Sequence, residues 1–170
     1  ALPISGKSDD KHSSKGYYTI LCLELTHKRW RALANTGKTS GFVTAFLSET
    51  NTRGIRIKFI SLRQALRSNL SSESAIQLLR ELIHGLGDRY LGTLLTIRRE
   101  KFPQMVKSIE FLCGYHKPVL WLDTSDAGKF PNIKNRNFSR LLTSEKWTVR
   151  KVLQECIQAS HKQIGYLNVH

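Results

Sequence analysis

The residues best suited to chemistry in this chain are cations set two apart. Arg29 and Arg31, and again Arg56 and Lys58, alternate with apolar side chains. In an extended strand that spacing puts both cations of a pair on one face. Rows of this kind track the phosphates of a nucleic-acid backbone, and an exposed ring beside them stacks on an unpaired base for about 1–3 kcal/mol. Tyr17, Tyr18, Trp30 and Trp121 stand nearby in sequence. Because Trp30 and Trp121 sit in strand patterns with a core-facing side, burial is the simpler fate for both, which leaves phosphate contact as the firmer expectation. More cations gather in segments with turn composition. The predicted interface comprises Lys28, Arg29, Arg31, Lys38, Arg53, Arg56, Lys58, Arg98, Arg99, Lys129, Lys134, Arg136 and Arg140.

Charge supports that partner class. Lys and Arg number 27 against 13 Asp and Glu in 170 residues, a formal net charge of +14. Such a field draws polyanions, nucleic acid first and an anionic membrane surface second. Both halves of the chain carry the excess, so a folded surface holds it and not a tail. With 40% hydrophobic residues the chain can build a core. Cys22, Cys113 and Cys156 form no close spacing. That argues against a disulfide framework and against a structural zinc site, and points to an intracellular, reducing compartment. No run of about 18 apolar residues is present to span a membrane.

These cations need elements to position them. Residues 1–15 are polar and aperiodic, and read as a disordered arm. Residues 16–165 read as one compact domain, or as two packed repeats, 16–90 and 91–165. The repeat rests on an echo: His27-Lys28 precedes Trp30 and Gly37-Lys38, and His116-Lys117 precedes Trp121 and Gly128-Lys129. The match needs a one-residue shift between the His-Lys pair and the Trp. Strands are expected from Tyr17, across 29–34 and 41–48, at 54–60, 91–97 and 117–124. Residues 105–113 fit strand or helix. Helical periodicity appears at 61–70, again in the stripe Ile76, Leu79, Ile83 and Leu86 behind a Ser71 or Ser72 cap and ended by Gly85 or Gly87, and from about Thr143 onward. The expected fold is α+β: antiparallel sheet with helices on one side, in a duplicated strand-rich unit closed by a helix.

The run Ile55-Arg56-Ile57-Lys58-Phe59-Ile60-Ser61 entering a helix at Leu62, and Val119-Leu120-Trp121-Leu122-Asp123 with Gly128-Lys129-Phe130, carry a resemblance. In these segments the chain resembles the Pur-alpha-like and Whirly group of single-stranded nucleic-acid-binding proteins. The resemblance implies sheet faces that bind unpaired strands and helices that pack units or subunits into an oligomer. It departs at Thr39, where the second copy has Phe130, and in a fourth strand not evident in the second unit.

Three rivals remain. Ala32 to Thr39 fits a relaxed phosphate loop, with Lys38 neutralising phosphates, Thr39 on magnesium and Asp123 completing its shell. Against this, the stretch after Thr39 reads as strand where a phosphate loop needs a helix. Glu24, Glu110, Asp123 and Asp126 are carboxylates on or beside strands that would serve a metal-dependent nuclease, but no nuclease spacing links them. A matrix-like role at an anionic membrane surface has the charge and two amphipathic helices behind it. The reading the sequence favours is a non-enzymatic protein that binds single-stranded RNA or DNA, with no cofactor and no metal.

Overall fold

The computed structural model describes residues 16–24, 40–66, 71–123, 133–142 and 149–164. Within them lie strands β1 (Thr19–Leu23), β2 (Arg56–Ile60), β3 (Tyr90–Leu95), β4 (Val119–Asp123) and β5 (Phe138–Leu142). The helices are α1 (Ser40–Arg53), α2 (Leu62–Leu66), α3 (Ser72–Leu86), α4 (Phe102–Cys113) and α5 (Val149–Ile164). The strands form one sheet in the order β2-β1-β3-β4-β5, and every pairing is parallel. This is an α/β arrangement, and the expectation of an antiparallel sheet with helices on one side is wrong.

Burial on both faces of the central strands accords with the parallel sheet. Every residue of β1, β3 and β4 is buried, as required when helices cover both faces of a strand. Runs such as VLWLD are therefore apolar on both sides. Leu21, Leu23, Tyr90, Leu95, Val119 and Trp121 pack toward α3 and α4. Ile20, Cys22, Leu91, Leu94, Leu120 and Leu122 pack toward α1 and α5. The edge strand β2 shows the alternation of a half-covered strand, with Lys58 exposed between partly buried Ile57 and Phe59.

The decisive misreading lies at residues 41–48, expected as a strand and found inside α1. Val43, Phe46 and Thr50 are buried at helical spacing, and Thr50 Oγ1 donates to the Phe46 carbonyl at 2.9 Å. The β-branched and aromatic content suggested a strand, but one packed face overrides that propensity. Residues 109–113, the opening of the second half of the echo, are the last turns of α4, whereas its counterpart at 20–23 is β1. Over these described segments the echo joins unlike structures, and most of its first half, 25–38, lies outside the described residues.

Other boundaries follow their local chemistry. Ser71 caps α3, its Oγ accepting from Ser74 N–H at 3.0 Å, and Gly87 ends the helix at φ 58°. Pro103 occupies the first turn of α4, where its missing N–H leaves no helix bond unmade. In β3 the register with β1 skips at Leu91, and Gly92 adopts φ 152° beside that irregularity. A Cβ at Gly92 would lie 2.8 Å from the Pro118 carbonyl oxygen, so only glycine lets β3 and the entry to β4 approach this closely.

Candidate functional site

A parallel sheet places the carboxyl ends of all its strands on one edge. Where consecutive crossovers leave for opposite faces, a crevice opens between the strands concerned. Here β1 leads to α1 on one face and β3 to α4 on the other, so the divergence falls between β1 and β3.

Glu24 follows β1 directly and is a non-glycine residue at φ 71°. Its N–H donates to the Ile60 carbonyl at 2.7 Å, and its Oε2 accepts from Leu62 N–H at 3.3 Å. These two bonds tie the end of β1 to the start of α2. Burial raises the Glu24 pKa above the usual carboxylate value, opposed by the Leu62 hydrogen bond and by the charge of Arg63. Across the crevice, Thr96 donates its N–H and Oγ1 to the Leu23 carbonyl at 3.4 and 3.3 Å.

The loop after β3 is held from β4. Trp121 is fully buried against Phe102, ring centroids 4.7 Å apart, and its indole N–H donates to the Ile97 carbonyl at 3.0 Å. That bond anchors the loop just before Arg98, Arg99 and Lys101. Asp123, the last residue of β4, is 1% exposed. Its Oδ2 accepts from Arg140 Nε at 2.7 Å and from Arg99 Nε at 3.3 Å, with Arg99 Nη2 at 3.2 Å. Arg63, Arg98 and Lys101 are exposed along the same edge.

The predicted interface residues fall into groups. Arg98, Arg99 and Arg140 come together at the carboxyl edge. Arg56 and Lys58 lie on β2; the Arg56 guanidinium sits 5.9 Å from the Tyr17 ring centroid, and neighbouring Tyr18 is 45% exposed. Their row is not continued across the sheet, because the adjacent strand β1 is buried throughout. The open sheet faces implied by the Pur-alpha-like and Whirly resemblance are covered by helices in the described residues. Lys134 and Arg136 are exposed before β5, at the opposite, amino edge. Arg53 ends α1 and pairs with Glu49 at 3.3 Å. Lys28, Arg29, Arg31, Lys38 and Lys129 lie outside the described residues, as do Trp30, Thr39 and Asp126.

Arg63, Thr96 and Lys101 were not anticipated. Lys101 follows the noted Arg98-Arg99 pair by two residues, so a reading of 91–97 as a parallel strand would have placed it on the same edge. Glu110 is exposed near the end of α4, whose first turn is the one at the carboxyl edge, so it does not join Glu24 and Asp123. Among the described residues no group of three or more His, Cys, Asp or Glu is placed to hold a metal ion. All three cysteines are buried thiols, and burial pushes Cys113 up to about 11 and Cys156 up to about 12, which suits packing better than nucleophilic chemistry. No helix among the described residues is long and apolar enough to cross a membrane. No family model, curated protein or solved structure matches the chain.

Proposed function

We propose that this protein is a non-enzymatic nucleic-acid-binding protein that holds an unpaired strand along the carboxyl edge of its sheet. The observation that carries the reading is the gathering of Arg63, Arg98, Arg99, Lys101 and Arg140 at the carboxyl ends of the strands. Crevices of doubly wound sheets open on that edge, and the chain carries a net charge of +14. Cations positioned there by rigid strands act on a phosphate chain together, and each contact releases condensed counterions.

The test is equilibrium binding of labelled single-stranded RNA, single-stranded DNA and duplex DNA across a salt series. Arg98→Ala with Lys101→Ala should weaken single-strand binding and flatten its log–log salt slope by about 1.4, two contacts at about 0.7 each. Lys134→Ala with Arg136→Ala, on the opposite edge, should leave the slope near the wild-type value. Equal effects of both pairs would mean generic charge attraction, and binding to anionic vesicles in preference to any nucleic acid would favour the membrane-surface reading.

One observation favours a nucleotide instead. The segment after Gly37-Lys38-Thr39 is a helix, α1, as a phosphate loop requires. Asp123, however, accepts from two arginines, an environment that competes with magnesium. Addition of ATP and magnesium in parallel decides the matter: saturable ATP binding lost in Lys38→Ala would support the nucleotide reading.

A further inference from the structure

Asp123, Arg99 and Arg140 reach one point from three separate pieces of chain: the end of β4, the loop after β3 and the middle of β5. Both arginine Nε atoms lie within 3.3 Å of the same Asp123 oxygen, so the two guanidinium groups are close neighbours. Two like charges at such separation repel, and the carboxylate between them makes the arrangement stable. The three groups together still carry one positive charge. The carboxylate is 1% exposed, while the arginine side chains are 14% and 16% exposed. The anion is therefore sunk in the protein and the cations lie on its solvent side, in surroundings where salt screens poorly.

We propose that Asp123 is a positioning residue that holds Arg99 and Arg140 as a paired clamp for one phosphate group of the bound strand. The clamp rests on the nucleic-acid reading above and names the phosphodiester as its ligand. Guanidinium is the group for this task, since its planar fork presents parallel N–H donors that match phosphate oxygens, which a lysine ammonium does not. Fixing both forks before binding spares the side-chain ordering that a flexible surface arginine would undergo.

The clamp opposes simple charge counting in sign, which makes it testable. Removing a negative charge from a basic protein should tighten binding to any polyanion. If Asp123 positions the arginines, Asp123→Asn weakens single-stranded RNA binding instead, by about tenfold, and flattens the salt slope by about 0.7 for one lost phosphate contact. Arg140→Lys keeps the charge and loses the fork, and should weaken binding by several-fold. Far-UV circular dichroism and thermal melts accompany each variant; if Asp123→Asn does not fold, Arg140→Lys decides alone. Folded Asp123→Asn that binds as tightly as wild type or tighter, or Arg140→Lys with unchanged affinity, overturns the clamp while the edge-binding reading stands. Wild-type protein that binds none of the nucleic acids overturns that reading, and the clamp with it.

Discussion

At the amino ends of β3, β4 and β5 the chain closes on itself with backbone and hydrocarbon. Gly92 backs onto the Pro118 carbonyl, Thr93 N–H donates to that same oxygen at 2.9 Å, and the Tyr90 hydroxyl meets Thr93 Oγ1 at 2.7 Å. Asn137 bridges to the Cys113 carbonyl at 3.1 Å. Lys117 is buried there, and burial pushes its ammonium below the usual lysine value, with Asp88 opposing. The carboxyl ends present a different surface. Glu24, Arg63, Arg98, Arg99, Lys101, Asp123 and Arg140 share it, some paired and some open to solvent. Both edges are made by the same strands, so the contrast belongs to the loops. Among the described residues, the segment after β3 carries Arg98, Arg99 and Lys101, while the entry to β4 is closed by the contact of Gly92 with the Pro118 carbonyl.

The contrast breaks most severely at Gly92. Gly92→Ala combines an unfavourable φ with a Cβ at 2.8 Å from a backbone oxygen that cannot move without displacing β4. We expect a loss of about 4 kcal/mol in urea unfolding, with the urea m-value little changed. A loss under about 1 kcal/mol would mean that the amino edge is not tightly packed.

Trp121→Phe should cost about 2 kcal/mol, from lost buried volume and the indole bond to Ile97. Because that bond anchors the loop bearing Arg98 and Arg99, the same variant should weaken single-stranded RNA binding under conditions where it remains folded. A binding constant equal to wild type would separate the core beneath the carboxyl edge from its chemistry.

The smallest effect belongs to Glu24, and its sign depends on pH. A carboxyl whose pKa is higher folded than unfolded favours folding when protonated. Its contribution is therefore present below the unfolded pKa and is lost as pH rises through the folded one. Glu24→Gln keeps an acceptor for Leu62 N–H and removes the charge. It should be more stable than wild type near pH 7, and the advantage should vanish as pH falls below the usual carboxylate range. A variant less stable than wild type at neutral pH would show that the Arg63 attraction outweighs burial.

Much of the fold was legible locally. The apolar runs of β1, β3 and β4 and the alternation in β2 follow from side-chain type and spacing, and the ends of α3 were narrowed to Ser71 or Ser72 and to Gly85 or Gly87, of which the structure uses Ser71 and Gly87. Residues 41–48 were not legible, because their apolar and β-branched content suits either structure. Reading them as a strand removed the crossover helix that makes β1 and β2 parallel, and that one error turned the sheet antiparallel. The candidate site was half visible: Arg98, Arg99 and Arg140 were named for their charge, but nothing in their spacing joined residues 99, 123 and 140.

By itself, then, the sequence determined the charge and the core-forming segments, since these depend on composition and short-range periodicity. Only the tertiary structure decided that the sheet is parallel, that the row of Arg56 and Lys58 stops at β2, and that Asp123 lies between two arginines. Those outcomes depend on which distant segments pair, and pairing is set by how both faces of the strands are buried at once.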